Sequence, residues 1–281
     1  MKKIGVVVNK DKDIDYKHTK VIVEKLLQKG FEAVVAPEIK DAINLPATGS
    51  ASVYEDSDFI ICVGGDGTFL NAARQAYFLK KPVLGINKGT VGFLSEVETK
   101  DIEMAINKIA EGNFKVQERM VLEVEVIRQG ETVFEDIAIN DAVVARMALS
   151  RILRLKVMVD EKYMDSFPGD GVIISTPSGS TGYSLAAGGP IVQPDMRLLL
   201  ISPICPHIMY SRSYIAPDSR KISVSIDEAC AVDAMVTVDG QKGFAIQSGD
   251  LVCVKASRNN VLFASVSKVN FYDVLRAKLH Q

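Results

Sequence analysis

Apolar positions follow two different rhythms along the chain. In the first part they form short unbroken runs, Lys3–Val8, Phe31–Ala36, Phe59–Val63 and Pro82–Asn87. Such runs, rich in β-branched residues, read as strands buried on both faces. Between them the apolar spacing is helical. Tyr16–Lys29 sets Ile22, Val23, Leu26 and Leu27 on one face and stops at Gly30. Thr68 is expected to cap a helix over Phe69–Leu79, and Thr99 one that runs to Ala110 and ends at Gly112. Asp41–Asp56 has no period and reads as loop. Alternating strands and helices predict a parallel sheet in a doubly wound α/β domain, with ligands at the carboxyl ends of the strands.

From about residue 117 the rhythm changes. Val121–Ile127, Thr132–Ile139 and Ile152–Val159 alternate apolar with polar, with turns at Gln129-Gly130 and Asp160-Glu161-Lys162. Lys221–Ile226, Met235–Val238, Leu251–Ala256 and Val261–Val266 are further short strand-like runs without intervening helices, which predicts an antiparallel β-sandwich. Asn270 is expected to cap a last helix, Phe271–Leu279, that docks on the first domain. The expected fold is therefore α/β plus all-β, with residues 1–115 and 268–281 in one domain and 116–267 in the other.

Composition narrows the function classes. With 47% hydrophobic and 24% charged residues the chain is an ordinary globular one, and a net charge of −2 offers nothing to nucleic acid or an anionic membrane. Its 4 cysteines, Cys62, Cys205, Cys230 and Cys253, have no CxxC spacing, and Cys62 and Cys253 lie in apolar runs as expected for buried thiols in a reducing compartment. The apolar run at the start is too short for a signal-peptide core, and none approaches the roughly 20 residues that span a bilayer. The expected location is the cytoplasm.

The densest chemistry lies after the third run, at Gly64-Gly-Asp-Gly-Thr68. A strand, a glycine turn and a helix bring backbone N–H groups up to a phosphate, and Gly64, Gly65 and Gly67 remove the side chains that would hold it away. Asp66 would repel a phosphate. It fits the turn if it takes a proton from a substrate hydroxyl, or if Mg²⁺ stands between it and the phosphates. Both readings are phosphoryl transfer; a plain polar turn is the alternative. The turn is neither GxxxxGK[ST] nor GxGxxG, since Leu70 takes the last glycine's place.

A second stretch, Pro168–Pro194, holds Ser178-Gly-Ser-Thr-Gly182 with Tyr183 and Ser184 next. Too little apolar surface is available there for a core element. Dense hydroxyls and exposed glycine backbone suit a polyhydroxylated, phosphorylated ligand, with Tyr183 as a stacking face for a base; a flexible Ser/Gly loop is the alternative. Asn140 and Asp141 interrupt apolar strand runs, and one of them is expected to face a core and to need partners there. His18 and His280 lie near helix ends, and His207 sits in the loop Pro203-Ile-Cys-Pro-His207. No His/Cys/Asp/Glu grouping has metal-ligand spacing, and no GxSxG turn supports triad chemistry.

Taken together, Gly64-Gly-Asp-Gly-Thr68, Gly85-Ile-Asn87 with Gly92-Phe93, Asn140-Asp141 and the run from Asp170 to Ser184 resemble the NAD kinase family. Ala187-Gly-Gly-Pro190, Ile204-Cys-Pro-His207 and Val238-Asp-Gly-Gln241 extend the match over essentially the whole chain. The glycine–aspartate turn alone is shared with lipid kinases and phosphofructokinases; the Ser/Thr/Gly run is more specific. The resemblance implies ATP-dependent phosphorylation of the 2′-hydroxyl of the adenosine ribose of NAD, with Mg²⁺ carried on the ATP phosphates, and a homodimer or homotetramer. By position, Asp66 matches the family's proton acceptor, with Gly67 against the same ligand and Phe93 as an adenine wall. Asn140 and Asp141 match the pair that holds the ribose hydroxyls and amide. Arg151, Asp170, Thr181, Gly182, Tyr183, Ser184, Leu185, Ala186 and Gln241 match further NAD-contacting positions.

Three departures stand out. The family's usual Asn-Glu is Asn140-Asp141 here, which keeps the charge and shortens the reach. Its Thr-Ala-Tyr is Thr181-Gly-Tyr183, and Pro168 stands where a basic residue is common. The competing readings are a lipid or sphingoid kinase sharing the glycine turn, and a non-catalytic NAD or NADP sensor.

Overall fold

The computed structural model describes residues 1–87, 92–147, 152–209, 211–227, 233–266 and 269–279. Arg151, Cys230 and His280, named above, lie outside the described residues. The chain divides into two compact units, Met1–Glu118 with Val261–Gln281, and Arg119–Asn260.

The first unit is built on an eight-stranded sheet. Its strands are β1 (Lys3–Val8), β2 (Glu32–Val35), β3 (Thr48–Gly49), β4 (Phe59–Val63), β5 (Val83–Asn87), β6 (Val97–Glu98), β7 (Lys115–Arg119) and, from the far end of the chain, β20 (Val261–Ser265). The helices are α1 (Lys17–Gln28), α2 (Pro37–Ile43), α3 (Asp66–Phe78), α4 (Ile102–Ala110) and α6 (Phe271–Leu279). The order β3-β2-β1-β4-β5-β20-β7 reverses direction between β1 and β4. These two strands pair in parallel from Ile4↔Phe59 to Val8↔Val63, so their carboxyl ends meet at Val8 and Val63. In an open parallel sheet such a reversal leaves a crevice at the carboxyl ends, and ligands bind there. Phe59, Ile61, Leu84 and Ile86 join Ile22, Val23, Leu26, Ile106 and Ile109 in one buried core. The continuous apolar runs are thus explained by helices packed on the strands.

Several local expectations are corrected, first of all that Val261–Val266 belongs to the sandwich: it supplies β20, which pairs in parallel with β5, since an apolar run does not itself say which sheet it joins. Helix α3 starts at Asp66 with Gly65 as its N-cap, so Thr68 lies inside the first turn and does not cap it. Glycine caps almost as well as a hydroxyl residue, and the turn needs no side-chain cap. The stretch taken as loop over Asp41–Asp56 opens within α2, which Pro37 starts at its first position, and also contains β3. Thr99–Asp101 is a 3₁₀ turn ahead of α4. Asn270 does cap α6: its Oδ1 accepts the Asp273 N–H at 3.0 Å, and the Asp273 carboxylate accepts the Asn270 N–H at 3.3 Å. No residue of α6 is fully buried.

The second unit holds two six-stranded antiparallel sheets. One has the order β15-β14-β13-β10-β17-β18, made of β10 (Asp141–Arg146), β13 (Gly171–Ser175), β14 (Leu198–Ile204), β15 (Tyr214–Pro217), β17 (Ala234–Val238) and β18 (Lys242–Ile246). The other runs β12-β11-β16-β19-β8-β9, made of β8 (Leu122–Arg128), β9 (Glu131–Ala138), β11 (Leu153–Val159), β12 (Lys162–Gly169), β16 (Lys221–Ile226) and β19 (Leu251–Ala256). Leu122, Val124, Val126, Leu155 and Val157 of the second sheet share one buried core with Val144, Val172, Ile174 and Ile201 of the first. That is a sandwich with alternating inward faces. Strands β12, β14, β15 and β18 carry no clean alternation, and the sequence pattern passes over them. Strand β14 is buried along its whole length, so it has no polar face to reveal it, and it runs through Pro203, which the sequence reading placed in a loop.

Among the described residues, no helix is long and apolar enough to cross a membrane. Cys62 and Cys253 are buried free thiols, Cys205 is an exposed one, and burial pushes the Cys62 thiol up to about 12.

Candidate functional site

Strand β4 ends at Val63, and Gly64 and Gly65 carry the chain from its carboxyl end into α3. Two features locate this turn. The Asn9 N–H, just past β1, donates to the Val63 carbonyl at 3.1 Å, and the Asn9 side-chain amide donates to Thr68 Oγ1 at 3.3 Å. On the other side, Phe69 of α3 meets Phe263 of β20 edge to face at 4.8 Å between ring centres. Asp66 is therefore the first helical residue, at the positive end of a 13-residue helix, beside the reversal of strand order.

The Asp66 carboxylate is held from across the turn. Oδ1 accepts the Ser95 hydroxyl at 2.8 Å and the Ser95 N–H at 3.2 Å, and Oδ2 accepts the Phe93 N–H at 3.1 Å. The holding segment closes on itself, since the Gly92 N–H donates to the Ser95 carbonyl at 2.8 Å. Only a glycine fits at its head: a β-carbon on Gly92 would stand 2.0 Å from Asp66 Oδ1. By contrast, nothing lies within 4 Å of where a β-carbon on Gly65 or Gly67 would be. The turn thus offers a half-buried carboxylate next to two glycines with open space where a side chain would stand. That arrangement can present N–H groups to a phosphate and a base to a hydroxyl. Phe93, expected as an adenine wall, reaches Asp66 through its backbone.

In the second unit Asn140, Asp141 and the run from Ser178 to Ala186 gather round the end of β13, while Asp170 stands just before its start. After Ser175 the chain makes a 3₁₀ turn, Ser178–Thr181, and a single helical turn, α5 (Tyr183–Ala186). The expectation that this run could not be part of a core is corrected. Ser175, Thr176, Ser180, Ser184 and Ser202 are fully buried. Their hydroxyls replace apolar packing with hydrogen bonds to backbone and to one another. Thr176 Oγ1 donates to the Ile139 carbonyl at 2.6 Å and accepts the Gly179 N–H at 3.1 Å. Ser180 Oγ both donates to and accepts from Val192, at 3.1 Å each way. Ser184 and Ser202 lie 3.1 Å apart, with the Ser213 hydroxyl donating to Ser202 at 2.9 Å. A β-carbon on Gly179 would stand 2.2 Å from the Asn140 carbonyl oxygen, so the 3₁₀ turn is packed directly on the Asn140-Asp141 backbone.

That backbone is fixed from its other side by Asp239. The β17–β18 hairpin turns through Asp239 and Gly240, both at positive φ (52° and 63°), with the Gln241 N–H donating to the Val238 carbonyl at 3.0 Å. Val238 pairs with Lys242, so the connection is a three-residue loop with Asp239 and Gly240 at the central positions of its turn. It brings the Asp239 carboxylate to the N–H groups of Ile139, Asn140 and Asp141. Asp141, only 6% exposed, opens β10. Burial, and then the Asp239 charge, push its carboxyl up to about 7.

Two buried polar atoms in this cluster find no hydrogen-bond partner among the described residues: Asn140 Oδ1 and Ser178 Oγ. Orphaned polar atoms in an otherwise satisfied network mark where a polar ligand would bond. At the other end of β10 and β13, where Ala145 pairs with Gly171, the residues Ala145, Arg146, Asp170 and Ile204 line a cavity of about 240 Å³ together with Tyr183. The Arg146 Nε donates to Asp170 Oδ1 at 2.7 Å, and Tyr183 is 47% exposed.

Of the residues expected from sequence, Gly64, Gly65, Asp66, Gly67, Thr68 and Phe93 fall in the first unit. Asn140, Asp141, Asp170, Thr181, Gly182, Tyr183, Ser184, Leu185, Ala186 and Gln241 fall in the second. Ser184 is turned into the buried hydroxyl network. Sequence reasoning missed Ser95 and Asp239 as site residues. A serine inside an apolar stretch carries no signal, whereas Asp239-Gly240 between strand runs does, as a hairpin turn. Among the described residues, no three His, Cys, Asp or Glu side chains converge as a metal site.

Comparison with known proteins agrees over the whole length. Residues 4–114 match the family model of the ATP-NAD kinase N-terminal domain, and residues 139–266 that of the ATP-NAD kinase C-terminal domain. The chain is 45% identical to an NAD kinase of Acetivibrio thermocellus, over 100% of this chain and 98% of that protein. It is 41% identical to one of Ruminiclostridium cellulolyticum, over 100% and 99%. Among solved structures, an NAD kinase from Archaeoglobus fulgidus in complex with ATP superposes with a TM-score of 0.72 at 28% identity, covering 93% of this chain and 92% of that one. Yeast NADH kinase complexed with NADH shares the fold, with a TM-score of 0.87 at 24% identity, covering 100% and 87%.

Proposed function

The chain belongs to the ATP-NAD kinase family, and we propose that it transfers the γ-phosphate of ATP to the 2′-hydroxyl of the adenosine ribose of NAD, giving NADP, with Asp66 as the proton acceptor. The observation that carries this reading is the Asp66 carboxylate: it is fixed by Phe93 and Ser95 at the start of α3, beside open glycine backbone.

The ribose oxygen attacks the γ-phosphorus in line and the β–γ bridging oxygen leaves with ADP. An aspartate is a weak base for a free alcohol. It acts late, when the oxygen has begun to bond to phosphorus and its proton has become acidic. The amides of the glycine turn spread the charge on the phosphoryl oxygens. In this reading a divalent ion would arrive as part of Mg·ATP and would shield the phosphate charge.

For NAD, the proposal assigns polar contacts to Asn140 and Ser178, whose Oδ1 and Oγ are buried without a hydrogen-bond partner among the described residues. Asp141, Thr181–Ala186 and Gln241 surround them in the proposal, and Tyr183 and Asp170 form a wall. Arg151 and a homodimer or homotetramer belong to the same reading by resemblance alone. A sphingoid-type lipid kinase would need an apolar groove where this chain has a buried hydroxyl network.

The test is direct. The protein, incubated with ATP, Mg²⁺ and NAD, is expected to form NADP, detected by an NADP-specific dehydrogenase. Asp66→Asn is expected to lower kcat on the order of 10²–10⁴-fold with little change in the KM for NAD. Near-wild-type turnover in that variant would overturn the base assignment, and NAD binding without product would favour a sensor.

A further inference from the structure

We propose that Ser95 is a positioning residue for Asp66: its hydroxyl and amide together occupy Oδ1, and so leave Oδ2 as the oxygen that takes the substrate proton. The inference rests on the reading of Asp66 as proton acceptor.

Ser95 is fully buried. It donates to Asp66 Oδ1 at 2.8 Å while its own N–H donates to the same oxygen at 3.2 Å. Among the described residues Oδ2 receives a single donor, the Phe93 N–H at 3.1 Å. A carboxylate oxygen has two lone pairs. Two donors fill Oδ1, and one leaves a lone pair of Oδ2 open. The two oxygens of Asp66 are thereby made unequal before any substrate arrives. The Gly92 turn closes the third side, since a single β-carbon there would run into the same carboxylate. A proton acceptor has to be held within a fraction of an ångström of the atom it serves, and misplacement by about 1 Å costs up to 10²-fold in rate. Ser95 supplies this restraint without needing to touch NAD or ATP.

Such a role acts through Asp66 and through nothing else, which a mutant cycle can read. Ser95→Ala is expected to lower kcat about tenfold, with the KM for NAD and for ATP unchanged. In an Asp66→Asn background, where there is no carboxylate to orient, the same Ser95→Ala change is expected to cost no further turnover. Should Ser95→Ala fail to fold, Ser95→Cys, of similar size with only a weak donor, carries the same expectation. The proposal is overturned if the serine variant keeps wild-type kcat, or if its loss multiplies unchanged onto Asp66→Asn, as a merely structural role would produce. Wild-type turnover in Asp66→Asn alone is a different failure: it sinks the base reading.

Discussion

The carboxylate of Asp239 accepts the backbone N–H of Asn140 at 2.8 Å, and the Asp239 N–H returns to the Asp141 carbonyl at 2.9 Å. The same carboxylate takes the N–H groups of Ile139 and Asp141 at 2.9 and 3.2 Å. Three consecutive amides therefore converge on one side chain, and the Asn140-Asp141 turn is rigid for that reason. Hydrogen bonds to a charged acceptor contribute about 1.5–3 kcal/mol each when one partner is removed. Asp239→Asn turns one acceptor oxygen into a donor facing those amides. It is expected to lower stability by about 2–4 kcal/mol in urea unfolding and to raise the KM for NAD more than it changes kcat. An unchanged KM would separate the Asn140-Asp141 turn from NAD recognition.

Asp141 makes stability depend on pH. Its carboxyl is pushed up to about 7, first by burial and then by the Asp239 charge. In the unfolded chain an aspartate titrates near 3.9, roughly. Between about pH 4 and 7 the native state thus holds a proton that the unfolded chain has released, so stability falls as pH rises through that window and levels off above it. Asp141→Asn removes the term. Relative to wild type, the Asn variant is expected to gain stability from pH 4 to 7, reaching on the order of 2–4 kcal/mol. Urea midpoints for both proteins across that range are the measurement; parallel pH slopes would count against the buried neutral carboxyl.

Asp66 and Asp239 show what was legible in the sequence and what was not. Asp66 stands out because a charged residue inside a glycine turn has no packing reason to be there. Asp239 is visible only as a turn residue, because its partners are amides about 100 positions away in sequence. The parallel sheet is legible because helices cover both faces and leave continuous apolar runs such as Phe59–Val63. Strand β14, Leu198–Ile204, is equally apolar, yet nothing in its pattern tells a buried sandwich strand from a helix segment. The run Ser178–Ser184 misleads in the opposite direction. Hydrophobicity alone makes it surface, but hydrogen bonds among its hydroxyls let it be buried.

Gly92 gives a prediction of a different kind, since it concerns room and not a functional group. A β-carbon there would lie 2.0 Å from Asp66 Oδ1, so either the carboxylate or the Gly92–Ser95 segment has to move. Gly92→Ala is expected to fold, with an unchanged circular dichroism spectrum, and to lose kcat by tenfold or more through displacement of Asp66, roughly. Wild-type turnover in this variant would mean that the carboxylate works equally well from another position.

Tyr183 is the last test of where NAD lies. It is a large aromatic left 47% exposed, and it lines the 240 Å³ cavity with Ala145, Ile204 and the Arg146–Asp170 pair. Its neighbour Ser184 is buried in the hydroxyl network, so the single turn of α5 is anchored on one side and presents the ring on the other. An exposed ring on a fixed turn is suited to stacking with a planar base, which contributes about 1–3 kcal/mol by alanine substitution. Tyr183→Ala is therefore expected to raise the KM for NAD roughly five- to a hundredfold, with kcat within a few-fold of wild type, and Tyr183→Phe, which keeps the ring, to behave as wild type. An unchanged KM in the alanine variant would remove Tyr183 from the pocket. A loss in the phenylalanine variant would assign the contact to the hydroxyl and not to the face of the ring.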